Sequence, residues 1–181
     1  TLNTKSQIPE FKDVLTYIFS SKGKQLRPVS GILFSKMLGN YNSKQRIFLQ
    51  SIELIHNATL FHDDVIDEAE IRHNLPSLPE KFTNKIAVLT GDYFLSLAIK
   101  NIYSLENNNI NMLFSNYMKE ICEGEIEQNY SLNKICAIDK YTEKTKRKTA
   151  LLFELTVLGV TYLSDSFSEN IINNAKNNDK L

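Results

Sequence analysis

Apolar positions along this chain recur at three- and four-residue spacing and almost nowhere alternate strictly with polar ones, which is the pattern of helices rather than strands. The spacing predicts helices over roughly 9–20, 28–39, 43–70, 84–106, 109–131, 137–164 and 168–178. Pro28 suits the first turn of the second helix, where a missing N–H costs nothing, and Gly39-Asn40 ends it. Ser43 reads as the N-cap of the third helix. Leu49, Ile52, Leu54, Ile55, Ala58, Leu60 and Phe61 leave that helix apolar on nearly every side, so it is expected to run through the centre of the fold. The stretch "RHNLPSLPEKFTN", with two prolines, reads as one long ordered loop. With only six glycines, four prolines, no repeat and no linker, the expectation is a single all-α domain over residues 1–181.

The third helix runs into "FHDDVIDEAEIRHN", which sets Asp63, Asp64 and Asp67 at the end of an apolar segment. Asp63 and Asp67 are four apart and share a helix face, with Asp64 offset by about 100°. Like charges at that spacing repel unless a cation lies between them. Carboxylates without soft ligands favour a hard cation, and Mg²⁺ in particular shares its shell between a few carboxylates and substrate phosphates. A solvated acidic helix end is the plain alternative, and the apolar run before the motif weighs against it.

Other candidates are less specific. His56 lies seven residues before Asp63 on the same face, where a hydrogen-bonded core role is the usual one. Lys24 and Arg27, at i and i+3 in "SKGKQLRPVS", sit just before a helix start and form a phosphate-sized cationic site, although such pairs are also common on surfaces. Lys144, Lys146, Arg147 and Lys148 in "YTEKTKRKTALLF" read either as a solvated basic face or as a diphosphate clamp.

Composition narrows the classes. Lys+Arg and Asp+Glu balance at 21 each, so no net field draws the chain to nucleic acid or an anionic membrane. The apolar run Ala150 to Val160 is interrupted by Glu154 and is too short to span a bilayer. Cys122 and Cys136 lack disulfide-framework or metal spacing and suggest reduced packing residues. These features fit a soluble protein of a reducing compartment, the cytoplasm or an organelle interior such as a plastid. The chain starts at Thr1, without a signal region, which suggests a processed or excerpted form.

Taken in order, "GKQLRP", "LIHNATLFHDDVIDEAEIRHNLPS", "AVLTGDYF", "CEGEIEQ" and "YTEKTKRKTALLF" resemble the trans-type polyprenyl diphosphate synthases, from residue 11 to about 165. The resemblance implies an isoprenoid-synthase-type all-α bundle around a central cavity, incomplete in this chain, and head-to-tail prenyl transfer. It implies that Asp63, Asp64 and Asp67 hold Mg²⁺ ions bridging to an allylic diphosphate, whose departure leaves a cation attacked by isopentenyl diphosphate. It further implies that Lys24, Arg27 and His56 bind isopentenyl diphosphate, and that Arg72 and Lys148 hold the allylic diphosphate. A tail tunnel beside the third helix would be gated by Ala58 and Thr59, with Ile55 and Ile52 deeper, and their modest size points to a medium-to-long product. Family members are usually homodimers.

Two positions depart from the family pattern. Arg72 is followed by His73 and Asn74, where a second arginine and a glycine are usual, so the site carries less positive charge. No second DDxxD follows Glu68, which suggests the N-terminal portion of a longer synthase with little activity of its own. Two rivals remain: an all-α His/Asp metal phosphohydrolase, thin with three histidines, and a non-catalytic helical subunit of a heteromeric synthase. The subunit would gain nothing from three clustered carboxylates.

Overall fold

The computed structural model describes residues 7–20, 23–130 and 150–165. In chain order the elements are α1 (Pro9–Ser20), α2 (Leu26–Met37), α3 (Ser43–Ile66), β1 (Ile71–Arg72), β2 (Leu75–Pro76), α4 (Leu78–Lys81), α5 (Asn84–Tyr103), α6 (Asn108–Tyr130) and α7 (Leu151–Tyr162). The all-α class expected from the spacing holds. The helix expected over 168–178, and the first part of the one expected over 137–164, lie outside the described residues.

Beyond shifts of a few residues at helix ends, four differences from the sequence reading shape the fold. The second helix starts at Leu26, so Pro28 is its third residue, still among the first-turn N–H positions that have no intrahelical partner. The third helix is capped by Asn42 rather than Ser43. The Gln45 N–H donates to Asn42 Oδ1 and the Asn42 N–H to Gln45 Oε1, both at 2.9 Å, a reciprocal capping box. Its far end falls at Ile66 instead of residue 70, because Glu68 adopts φ +49°. The Ala69 N–H then reaches Asp64 O at 2.9 Å and the Glu68 N–H reaches Val65 O at 3.4 Å, the paired closing bonds of a left-handed helix stop.

The fourth difference is the segment read as one loop. Ile71 pairs with Pro76 and Arg72 with Leu75 in an antiparallel hairpin, and His73 and Asn74 take φ +51° and +64°. Two consecutive positive-φ residues make the tight turn whose twist matches paired strands. Ser77 then caps α4, accepting from the Glu80 N–H at 3.3 Å.

The chain divides into two compact units, Thr1–Gln25 with Glu53–Ile99, and Leu26–Ile52 with Lys100–Leu181. In the first, Phe94 of α5 is fully buried and meets Phe61 of α3 edge-on, with ring centroids 5.4 Å apart. Phe19 of α1 lies on its other side at 6.5 Å. Each such pair adds about 0.5–1.5 kcal/mol beyond the apolar area it removes from water.

In the second unit α7 is the packing centre, with α2 and α6 against it. Its residues are buried on nearly every side, from Leu151 and Leu152 through Leu155, Leu158 and Val160. Gly159 lets the Phe48 ring of α3 lie directly on the helix backbone, where any Cβ would overlap it. Buried Gln45 donates to Val160 O and Asn42 Nδ2 to Leu163 O, both at 2.8 Å, so the start of α3 is tied to the end of α7. Among the described residues, no helix is long and apolar enough to cross a membrane.

Candidate active site

Asp63 and Asp64 occupy the last turn of α3, and Asp67 follows its final residue. The Asp67 N–H still bonds to Asp63 O at 2.8 Å, so the helical course carries through and the two carboxylates stay on one face. Acids at this end of a helix also meet the negative end of the helix dipole, so charge repulsion and the dipole both oppose them. The arrangement therefore calls for positive charge.

One cation is supplied by the chain itself. Arg72, on β1, sends both Nε and Nη2 to Asp64 Oδ1, each at 2.5 Å. Asp64 is 1% exposed and Arg72 33%. The hairpin turn makes the pair possible by returning the chain toward the helix end. The hairpin is in turn pinned to α1, because Tyr17 donates its hydroxyl to Pro76 O at 2.6 Å while its ring meets Phe82 edge-on.

A second tie holds the other flank. His62 Nε2 lies 3.3 Å from Val88 O and 3.4 Å from Asp92 Oδ1, both on α5. Gly91 lies beneath the imidazole, and a Cβ there would collide with Nε2, Cδ2 and Cε1 of the ring. The spacing argument passed over His62, Gly91 and Asp92. The signal was present in "TGDYF", a glycine inside a helical stretch beside an acid, which marks a close approach.

The donor set fits a hard divalent cation. The carboxylates at this helix end offer only oxygen, and among the described residues no group of three or more His, Cys, Asp or Glu stands close enough to hold a metal. Mg²⁺ takes one or two carboxylates and fills its shell with water and substrate phosphate oxygens, so a closed protein cage is not required.

A family model described as Polyprenyl synthetase matches residues 8–178. The chain belongs to that family. It is 36% identical over 171 residues to a decaprenyl-diphosphate synthase of Dictyostelium discoideum, a match covering 94% of this chain and 37% of that relative. It is 35% identical over 156 residues to heptaprenyl diphosphate synthase component 2 of Bacillus subtilis (strain 168), covering 84% of this chain and 44% of the relative. The chain thus spans less than half the length of these curated relatives. Among solved structures, the heptaprenyl diphosphate synthase of Staphylococcus aureus superposes with TM-score 0.85 at 27% identity, over 93% of this chain and 54% of that one. The decaprenyl diphosphate synthase of Rhodobacter capsulatus gives TM-score 0.82 at 27% identity, over 88% and 50%.

Of the residues expected from the sequence, Asp63, Asp64 and Asp67 lie at the end of α3, where Arg72 is bonded to Asp64. His56 is half-buried on α3, and its carbonyl accepts from Thr59 Oγ1 at 2.9 Å. Ala58 and Ile55 are buried at 3% and 0% exposure. Lys24 is exposed in the short segment before α2. Arg27, in the first turn of α2, lays its guanidinium over the Phe153 ring of α7, 4.9 Å from the centroid. Lys144, Lys146, Arg147, Lys148 and Cys136 lie outside the described residues.

Proposed function

We propose that the protein carrying this chain performs Mg²⁺-dependent head-to-tail prenyl transfer. It would condense isopentenyl diphosphate with an allylic diphosphate into a medium-to-long trans-polyprenyl diphosphate. The observation that carries the reading is the end of α3, where Asp63 and Asp67 share a face beside an Asp64 already neutralised by Arg72.

Bound there, Mg²⁺ would draw off the charge of the departing diphosphate. Asp63, Asp64 and Asp67 would hold that metal, and Arg72, bonded to Asp64, would turn its remaining N–H groups to the diphosphate oxygens. Lys24, Arg27 and His56 bind the isopentenyl diphosphate, and Lys148 shares the allylic diphosphate with Arg72. The Phe153 ring offers Arg27 a cation–π contact, which favours its charged head at this position. The buried apolar residues of α3 above the aspartates exclude water from the reacting carbons.

The sequence supplies one aspartate-rich motif, so the 181-residue chain alone is expected to turn over little; by the family resemblance, the full-length enzyme would act as a homodimer. A second reading makes the chain one component of a two-component synthase, because its B. subtilis and Geobacillus stearothermophilus relatives are each named component 2. Solution mass with and without a copurifying partner separates the two.

The test of the main reading is Asp63→Ala and Asp67→Ala in the full-length enzyme. Turnover of labelled isopentenyl diphosphate should fall by orders of magnitude with circular dichroism unchanged. Normal turnover in a folded variant would remove the aspartates from the chemistry.

A further inference from the structure

The His62 contact is unused by the roles assigned so far, and so is the "TGDYF" segment it touches. We infer that His62, seated on Gly91 and bonded to α5, is a positioning residue that fixes the direction in which α3 presents Asp63 and Asp67. The inference rests on the metal-binding reading of those two aspartates.

The geometry is that of a helix held on both flanks. At about 100° per residue, and taking His62 as zero, Asp63 lies near 100°, Asp67 near 140° and Asp64 near 200°. The arc bearing Asp63 and Asp67 therefore falls between two directions that are tied down. On one flank Asp64 is gripped by Arg72. On the other, His62 Nε2 faces the Val88 carbonyl and the Asp92 carboxylate. Both partners are acceptors, so the contact uses Nε2 as the donor.

The last turn of a helix frays first, and here like charges push it apart as well. A turn that swings even slightly misplaces its carboxylates for a metal shell with strict angular demands. Arg72 alone could let the turn pivot about Asp64, whereas a second fixed point removes that freedom. Gly91 is the other half of the device. Because any Cβ at 91 would enter the imidazole, the glycine sets how closely His62 seats on α5. Asp92, 62% exposed, adds a charged acceptor at the surface.

The test measures binding, with inorganic diphosphate as the probe, by titration calorimetry with saturating Mg²⁺ and again with EDTA. The ratio of the two dissociation constants is the metal-dependent gain. His62→Ala should cut that gain by about tenfold, the low end of what groups orienting metal ligands are worth. Gly91→Ala should cut it similarly, because the methyl displaces the ring. The double variant His62→Ala/Gly91→Ala should be no worse than His62→Ala alone, since removing the ring makes room for the methyl. Asp92→Ala, at an exposed position that does not threaten folding, should produce a smaller loss in the same direction.

A merely structural His62 would lower the melting temperature and leave the gain untouched. That result, or losses that add in the double variant, overturns the inference. Asp63→Ala separates the two levels of the argument. If it abolishes the gain while His62→Ala and Asp92→Ala do not, the role of His62 fails alone, and if it changes nothing, the metal reading fails with it.

Discussion

Arg72 and Asp64 stand eight residues apart in the chain, yet the guanidinium places two N–H groups on one carboxylate oxygen at 2.5 Å. A buried acid and a partly exposed arginine are thereby made into one unit that links a helix end to a hairpin. Arg72→Ala leaves Asp64 buried without its cation. Losing one partner of a fully buried pair costs about 3–5 kcal/mol. Arg72 is 33% exposed. Water can therefore enter in its place, and about 1–3 kcal/mol is the expected loss. Adding Asp64→Ala should recover part of it. Urea unfolding of the two single variants and the double gives the coupling, and strictly additive losses would mean that the pair contributes no coupling energy.

Asp67 illustrates a site that opposes its own fold. Its carboxylate follows the end of α3, on the face of Asp63 and at the negative end of the helix dipole. Asp67→Asn removes one like charge from the negative end of the helix dipole, and should stabilise the metal-free chain by about 0.3–1 kcal/mol. Turnover in the full-length enzyme should fall at the same time. A thermal melt in EDTA reads the first effect, and a destabilised Asp67→Asn chain would show that the carboxylate has a favourable partner instead.

The stop of α3 is set by Glu68 at φ +49°. A side chain pays a steric cost there that glycine avoids. Glu68→Gly should therefore raise stability by about 0.5–1 kcal/mol, partly offset by the greater freedom of glycine in the unfolded chain. It should leave Asp63 and Asp67 in place, so diphosphate binding with Mg²⁺ should stay within about twofold of wild type, a difference of under 0.5 kcal/mol. A loss of stability would mean that Glu68 makes contacts worth more than its backbone strain.

What the sequence revealed and what it concealed follow from the range of the forces involved. Helices of three turns or more repeat their apolar positions often enough to be read directly, and α1, α5 and α6 lie within two to three residues of their expected bounds. The end of α3 is decided by one residue in a left-handed conformation that non-glycine residues seldom adopt, so periodicity ran past it to residue 70. The hairpin has two residues in each strand, too few for alternation to register, and depends on His73 and Asn74 accepting positive φ. His73, noted in the sequence only as a departure from a second arginine, is thus also a turn residue. The aspartates were legible because their spacing is local. Their two ties were not, since Arg72 is brought near by that hairpin and the His62 partner Val88 is 26 residues away.

Ala58, one turn and a half before the aspartates, bears on product length. It is 3% exposed, and Ile55 and Ile52 below it are fully buried, so these residues line either a tail tunnel or a filled core. Thr59, half-buried, bonds its hydroxyl to the His56 carbonyl at 2.9 Å. Ala58→Phe in the full-length enzyme distinguishes the cases. Across a tunnel the ring blocks the growing chain, and the products shift to shorter prenyl diphosphates with little change in stability. In a filled core the ring has no space, and overpacking lowers stability by about 1–3 kcal/mol without redistributing products. The tunnel reading expects the first outcome. Chromatography of radiolabelled products beside a thermal melt reads both, and an unchanged length distribution from a folded, active Ala58→Phe enzyme would take this residue off the path of the tail.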